Sequence, residues 1–127
     1  MISASQTKKV LVIDDDQSLT GSLQRKFQKL GFKTEAAYDG MQALHLMNKE
    51  HFDGILLDLK MPNKDGFDVL KEKGTTLNSG TPAFVLTSLD EDKCALARKL
   101  GAKETFDKIR MSPAEVATVV GKELVAV

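Results

Sequence analysis

Three short, unbroken apolar runs constrain the fold of this chain more than any other feature. They occupy residues 10–13, 55–57 and 83–86, and a polar residue closes each one. A strand with one solvent-exposed face alternates apolar and polar residues, whereas a strand covered on both faces is apolar throughout. The runs therefore predict parallel strands in the middle of an α/β fold, between layers of helices.

A helical pattern follows the first run. Leu19, Leu23, Phe27 and Leu30 recur at helical spacing and stop before Gly31, which has the position of a helix-ending glycine. A weaker strand is predicted at residues 32–37, and a second helix is predicted to begin after Asp39.

The pattern of strand and helix continues to the end of the chain. Helices are predicted from Gly66, from the capping-box spacing of Ser88 and Glu91, and after Ser112, with a short strand at residues 104–107. The helix after Ser88 is expected to bury Leu96, Ala97 and Leu100. Successive strand–helix units predict a doubly wound parallel sheet with helices on both faces.

Composition limits the classes of function. The 127 residues, 42% of them hydrophobic, match one domain. Formal net charge is zero and the charges are interspersed, so we expect no direct contact with nucleic acid or with a membrane. One cysteine excludes an internal disulfide, and residues 1–7 lack the order of a secretory signal. These features predict a cytoplasmic protein.

Polar residues cluster where the predicted strands end. Because the carboxyl ends of parallel strands meet at one edge of the sheet, side chains that follow them should converge. Carboxylates, a hydroxyl and an amine at such an edge suit a divalent cation and a phosphoryl group. The residues concerned are Asp14, Asp15, Asp16, Asp58, Thr87 and Lys108.

These residues and their spacing resemble one family. The segment from Asp58 through Met61-Pro62 to Gly66, together with the acidic pair, Thr87 and Lys108, is similar to the receiver domain of bacterial two-component response regulators. The resemblance implies a single receiver domain over residues 1–127, with its core at about residues 8–124. It also implies a flavodoxin-like sheet of five strands in the order 2-1-3-4-5.

The resemblance further implies roles for individual residues. Asp58 would attack the phosphorus of a phosphohistidine and form an aspartyl phosphate. Mg²⁺ or Mn²⁺ would be held by Asp14, Asp15, Asp58 and the backbone carbonyl of Lys60, with Asp15 the more direct ligand. Thr87, Ser88 and Lys108 would bind the phosphoryl group.

The same resemblance implies partners and a slow reaction. The phosphodonor would be a histidine kinase or a histidine phosphotransfer protein, and the output a downstream protein or an output domain absent from this chain. The chain would be a self-catalysed phosphoacceptor and not an enzyme, with slow autodephosphorylation at most. We expect the Lys60 side chain and Leu89 to shield the phosphoryl group from water.

Two positions depart from the family pattern. Ile109 follows Lys108 where the family usually has proline after a cis peptide bond. A cis bond before another residue costs roughly 2.5–4 kcal/mol, so a trans bond is predicted. Thr105 occupies the place of an aromatic switch residue, and Phe106, shifted by one, should point to the opposite face of its strand, into the core.

Two alternatives stay open. The first is a degenerate receiver that binds partners without being phosphorylated. The second is a phosphatase similar to the haloacid dehalogenases, with Asp14 as nucleophile and Asp16 as general acid. The phosphatase leaves Asp58 and the Met61-Pro62 loop unexplained. The acidic run could also serve to cap a helix, which is the role predicted for Asp16.

Overall fold

The computed structural model of this protein describes residues 7–88 and 90–125. Five strands form one parallel sheet in the order β2-β1-β3-β4-β5. They are β1 Lys9–Ile13, β2 Lys33–Ala37, β3 Gly54–Leu57, β4 Ala83–Thr87 and β5 Ala102–Asp107. The predicted doubly wound sheet and its strand order are confirmed.

Five α-helices cover the two faces of the sheet. They are α1 Gln17–Lys29, α2 Gly40–Lys49, α3 Gly66–Glu72, α4 Glu91–Lys99 and α5 Pro113–Val125. Alternate residues of β1 point into different layers of core: Leu11 and Ile13 belong to the layer that includes α2 and α3, and Val10 and Val12 to the layer that includes α1 and α5. Burial on both faces explains the unbroken apolar runs. Within the described ranges, no helix combines the length and apolarity needed to cross a bilayer.

Side-chain caps mark where α1 and α4 begin. The cap of α1 is the predicted one, and that of α4 is not. The Asp16 carboxylate accepts a hydrogen bond from the Leu19 N–H and caps α1, as predicted. The predicted start of α4 at Ser88 is wrong, because α4 begins after Asp90, whose carboxylate accepts from the Lys93 N–H at 3.1 Å. Leu96 is 42% exposed, so its predicted burial is also wrong.

A neutral polar cluster, which we call the Asn78 cluster, lies at the amino ends of β3 and β4. The Asn78 amide oxygen accepts from the Phe52 N–H at 2.7 Å, and its nitrogen donates to the carbonyls of Met47 and Glu50 at 2.8 and 2.9 Å. The Thr81 hydroxyl donates to the Phe52 carbonyl at 3.0 Å. Both Asn78 and Thr81 are buried. The sequence suggested only a loop here.

Candidate functional site

Strand pairing fixes two carboxylates side by side. Asp14 directly follows β1 and Asp58 directly follows β3, and the last residues of these strands are partners in the sheet. The Asp58 N–H donates to the Ile13 carbonyl at 2.9 Å, and the Asp14 N–H donates to the Ala37 carbonyl at 3.0 Å. Both backbones are therefore held at the carboxyl edge of the sheet.

A third carboxylate completes an acidic cluster. One oxygen from each of Asp14, Asp15 and Asp58 lies within 4.8 Å of the others. Asp14 and Asp58 are 3% and 6% exposed, whereas Asp15 is exposed. Mg²⁺ and Mn²⁺ take oxygen ligands and keep several waters, so three carboxylates with one side open to solvent fit such an ion.

Lys108 enters the cluster from the end of β5. Its Nζ lies 2.7 Å from Asp14 Oδ2 and 3.0 Å from Asp58 Oδ2. Its backbone N–H donates to the Thr87 carbonyl at 3.0 Å, which ties the start of the β5–α5 loop to β4. The described residues contain no cis peptide bond, which confirms the trans bond predicted before Ile109. Lys108 therefore reaches Asp58 without the proline turn of the family pattern.

The cluster carries more negative than positive charge. At an effective dielectric constant near 20, two carboxylates about 5 Å apart repel by about 3 kcal/mol. Burial raises the pKa of Asp14, because this effect outweighs the hydrogen bonds from Lys108 and Asp16 that lower it. Burial alone would lower the pKa of Lys108, but hydrogen bonds to Asp14 and Asp58 raise it overall. One ammonium thus faces three carboxylates.

The loop after β3 folds back onto Asp58. The Leu59 N–H donates to Asp58 Oδ1 at 2.8 Å, and the Gly66 N–H donates to the Leu59 carbonyl at 2.9 Å. A Cβ on Gly66 would collide with the Asp58 carbonyl and lie 2.7 Å from the Leu59 Cα. Glycine is therefore required where α3 begins against the backbone of the acidic cluster.

The other candidate residues lie at the end of β4 and in the β3–α3 loop. Thr87 ends β4 and is 2% exposed, Ser88 follows it and is exposed, and Lys60 is exposed in the β3–α3 loop. Thr87 and Ser88 also line a cavity of about 420 Å³ between β4, α4 and β5. The predicted shielding residue Leu89 lies outside the described residues.

Thr105 and Phe106, at and next to the position where the family resemblance implies an aromatic switch, make different contacts. Phe106 is 7% exposed and stacks on Phe84 with ring centroids 6.4 Å apart, so the prediction that it is a core residue is confirmed. The Thr105 hydroxyl instead accepts a hydrogen bond from Arg98 Nη1 at 2.8 Å. The signal for this contact in the sequence is weak: a threonine and an arginine on either side of the helix-ending Gly101.

Comparison with known proteins points to one family. Residues 10–120 match the model of the response regulator receiver domain. The chain is 33% identical to sporulation initiation phosphotransferase F of Bacillus subtilis, over 80% of this chain and 82% of that protein. It is 39% identical to the transcriptional regulatory protein CpxR of Klebsiella pneumoniae, over 79% of this chain but only 42% of that protein.

Solved structures agree with the sequence matches. The chemotaxis protein CheY4 of Vibrio cholerae superposes with a TM-score of 0.82 at 28% identity, over 91% of this chain and 98% of that one. A CheY-like receiver domain from Methanospirillum hungatei superposes with a TM-score of 0.84 over 93% and 94% of the two chains, and its 22% identity supports the fold alone.

Proposed function

Because this chain belongs to the response regulator receiver domain family, we propose that it is a phosphoacceptor signalling domain of a two-component system or phosphorelay. In this proposal Asp58 receives a phosphoryl group from a phosphohistidine. The observation that carries it is the buried Asp58 carboxylate, which lies within 4.8 Å of two further carboxylates and 3.0 Å from the Lys108 ammonium.

The transfer exchanges one bond to phosphorus for another. An Asp58 carboxylate oxygen attacks phosphorus, the bond from phosphorus to the histidine nitrogen breaks, and its electron pair returns to the imidazole. Asp58 Oδ1 accepts from the Leu59 N–H and Oδ2 from Lys108, so the carboxylate is oriented before the donor arrives. Lys108 would then pair with a phosphoryl oxygen as the new bond forms.

The remaining residues would bind the cation and the phosphoryl oxygens. Asp14, Asp15, Asp58 and the Lys60 carbonyl would hold Mg²⁺ or Mn²⁺. When bound, the ion supplies positive charge to the phosphoryl oxygens. Thr87 would donate its hydroxyl to one of these oxygens, and the small Ser88 would leave room for the group.

The partners follow from this chemistry. The donor is a histidine kinase or a histidine phosphotransfer protein, and the output is a downstream protein or an output domain elsewhere in a longer chain. The location is the cytoplasm. The chain acts as a self-catalysed phosphoacceptor and not as an enzyme with turnover.

The phosphatase alternative is disfavoured by the position of Asp16. Its carboxylate accepts from the Leu19 N–H at 3.1 Å and caps α1, and it is not one of the three carboxylates that form the acidic cluster. Asp14 Oδ1 in turn accepts from the Asp16 N–H at 2.9 Å. Asp16 thus caps the helix, and Asp14 belongs to the acidic cluster.

Labelling with acetyl phosphate tests the proposal. The parent and Asp58→Asn are incubated with and without Mg²⁺, and the intact masses and released phosphate are measured. A stable phosphoryl adduct that needs both Mg²⁺ and Asp58 is expected. Turnover without an adduct would support the phosphatase. The absence of both an adduct and turnover would support the degenerate receiver.

A further inference from the structure

The outer part of the β3–α3 loop, residues 60–65, has little apolar contact with the rest of the molecule. Its base is closed by the hydrogen bond from the Gly66 N–H to the Leu59 carbonyl at 2.9 Å. Met61 is its one buried side chain, and the other five residues are exposed or partly exposed. Surface loops with few buried contacts open at low free energy. The conformation of this loop therefore depends on polar contacts.

The start of α2 supplies these contacts at the tip of the loop. The Asn63 amide donates from Nδ2 to Asp39 Oδ2 at 2.9 Å, and the Gly40 N–H donates to the Lys64 carbonyl at 2.9 Å. We call these two hydrogen bonds the Asp39 clamp. The side-chain bond joins residues 24 positions apart in the sequence, so the clamp is a tertiary contact and not part of a local turn.

The backbone on both sides of the clamp is adapted to it. A Cβ on Gly40 would collide with the Lys64 carbonyl and lie 2.6 Å from the Lys64 Cβ, so this close approach requires glycine. Asn63 has a φ of 65°, in the left-handed region that asparagine tolerates better than most residues. Backbone outliers that surrounding contacts hold in place cluster at functional sites. The clamp is therefore a candidate for a role at the acidic cluster.

The α2 side of the clamp is firmly held. Asp39 also caps α2, because its Oδ1 accepts from the Gln42 N–H at 2.8 Å, and the Gln42 side chain accepts from the Tyr38 N–H at 2.9 Å. Helix α2 buries four residues, among them Gly40. The Gln42 N–H and the Asn63 amide hold the pKa of Asp39 below its ordinary value, so an ionised carboxylate accepts the clamp's side-chain bond. The start of α2 is therefore a fixed support for the loop.

We propose that the Asp39 clamp positions the backbone of Lys60 as a ligand for the cation, which makes Asn63 a positioning residue of the acidic cluster. This role rests on the proposed function, in which the Lys60 carbonyl binds Mg²⁺ or Mn²⁺ together with Asp58. The direction of a backbone carbonyl is set by backbone dihedral angles alone, and Mg²⁺ requires near-octahedral ligand geometry. A loop that is fixed three residues further along offers this ligand without the entropic cost of ordering the loop on binding.

The first arm of the test measures the clamp in the absence of metal. Asn63→Asp places a second carboxylate against Asp39 and keeps a residue type that tolerates the left-handed backbone. The Gly40 N–H should then exchange with deuterium about fivefold faster than in the parent, as expected for the loss of a hydrogen bond. The Met47 N–H, in the second half of α2, should exchange at the parental rate. An unchanged rate at Gly40 would overturn the clamp.

The second arm measures the affinity for Mn²⁺ from the electron paramagnetic resonance signal of the free ion. Asn63→Asp should weaken binding about tenfold, the lower end of the range for residues that orient metal ligands. The added negative charge by itself would strengthen the binding of a cation, so weaker binding reports lost positioning. Asn48→Asp, the same change at an exposed asparagine of α2, is the matched control and should bind Mn²⁺ as the parent does.

An exchange of the two side chains provides the rescue. Asp39→Asn combined with Asn63→Asp keeps the parental net charge, and the amide at position 39 can cap α2 through its oxygen and donate to the carboxylate at position 63. Mn²⁺ affinity should return to within about twofold of the parental value. Parental affinity in Asn63→Asp, or no recovery in the exchange variant, would overturn the positioning role. No binding by the parent would overturn the cation site of the proposed function and the positioning role together.

Discussion

Two polar clusters lie at opposite ends of the sheet, and they differ in whether their polar groups satisfy one another without a ligand. In the Asn78 cluster, amide and hydroxyl groups meet backbone donors and acceptors at 2.7 to 3.0 Å, without any formal charge. In the acidic cluster, Asp14, Asp15 and Asp58 face one ammonium. Neutral groups that satisfy one another stabilise a fold. A cluster with excess charge gains most from a ligand.

This contrast separates a structural role from a functional one without reference to the family. Asn78 joins the end of α2 to the start of β3 through contacts that need nothing from outside the chain. The acidic cluster keeps one carboxylate, Asp15, open to solvent. We therefore expect substitutions in the first cluster to change stability alone, and those in the second to change ligand binding and sometimes to increase stability.

The largest effect is expected for Asn78→Ala. It removes the partners of the Phe52 N–H and of the Met47 and Glu50 carbonyls and should lower the free energy of unfolding by about 3 kcal/mol. Urea denaturation measures the loss. Asn48→Ala is the control, since Asn48 is exposed and, within the described part of the chain, its side chain donates to the Leu44 carbonyl alone. An equal loss of unfolding free energy in the two variants would contradict a structural role for the Asn78 cluster.

Mg²⁺ should have the next largest effect. An ion that binds only the folded protein adds about 2.7 kcal/mol at one hundred times its dissociation constant. Asp15→Asn should weaken this stabilisation, because Asp15 supplies the accessible carboxylate of the cluster. The melting temperature of both proteins across a Mg²⁺ titration measures the difference. If the parent melts at the same temperature throughout, the cation site is absent.

Neutralising Asp58 should stabilise the metal-free protein. At an effective dielectric constant of 20, Asp58→Asn removes two repulsions of about 3.3 kcal/mol each and one attraction to Lys108 of about 5.5 kcal/mol, a net gain of about 1 kcal/mol. Lys108 keeps its contact with Asp14 at 2.7 Å. Urea denaturation in the presence of a chelator gives the value. A destabilised variant would show that the Asp58–Lys108 pair outweighs the repulsion.

The smallest effect concerns the lifetime of the phosphoryl group. Lys60 is exposed two residues after Asp58, and its side chain could cover the approach of water to phosphorus. Lys60→Asn should shorten the acyl-phosphate lifetime by about two- to fivefold, as expected for loss of one exposed charge contact. Phosphate release after removal of acetyl phosphate measures it, with Lys71→Asn, an exposed lysine on α3, as control. A lifetime equal to the parent's would reject shielding by Lys60.

Local pattern predicts much of this molecule because helices cover both faces of the sheet. The runs in β1, β3 and β4 are apolar for that reason, and their ends locate Asp14, Asp58 and Thr87. The Asn78 cluster could not be predicted, since an asparagine among glycines and threonines is typical of a turn and its partners lie 26 to 31 residues away. The start of α4 was misplaced because Ser88 and Asp90 are both good caps, and local propensity does not choose between them.

The most direct test of the central claim is to locate the phosphorylated residue. The parent is labelled by acetyl phosphate with Mg²⁺, reduced with borohydride, which converts an aspartyl phosphate to homoserine, and mapped by peptide mass spectrometry. We predict homoserine at position 58 alone, dependent on Mg²⁺ and absent from Asp58→Asn. Reduction at Asp14, or no reduction at position 58 under these conditions, would contradict the assignment of Asp58 as the phosphoacceptor.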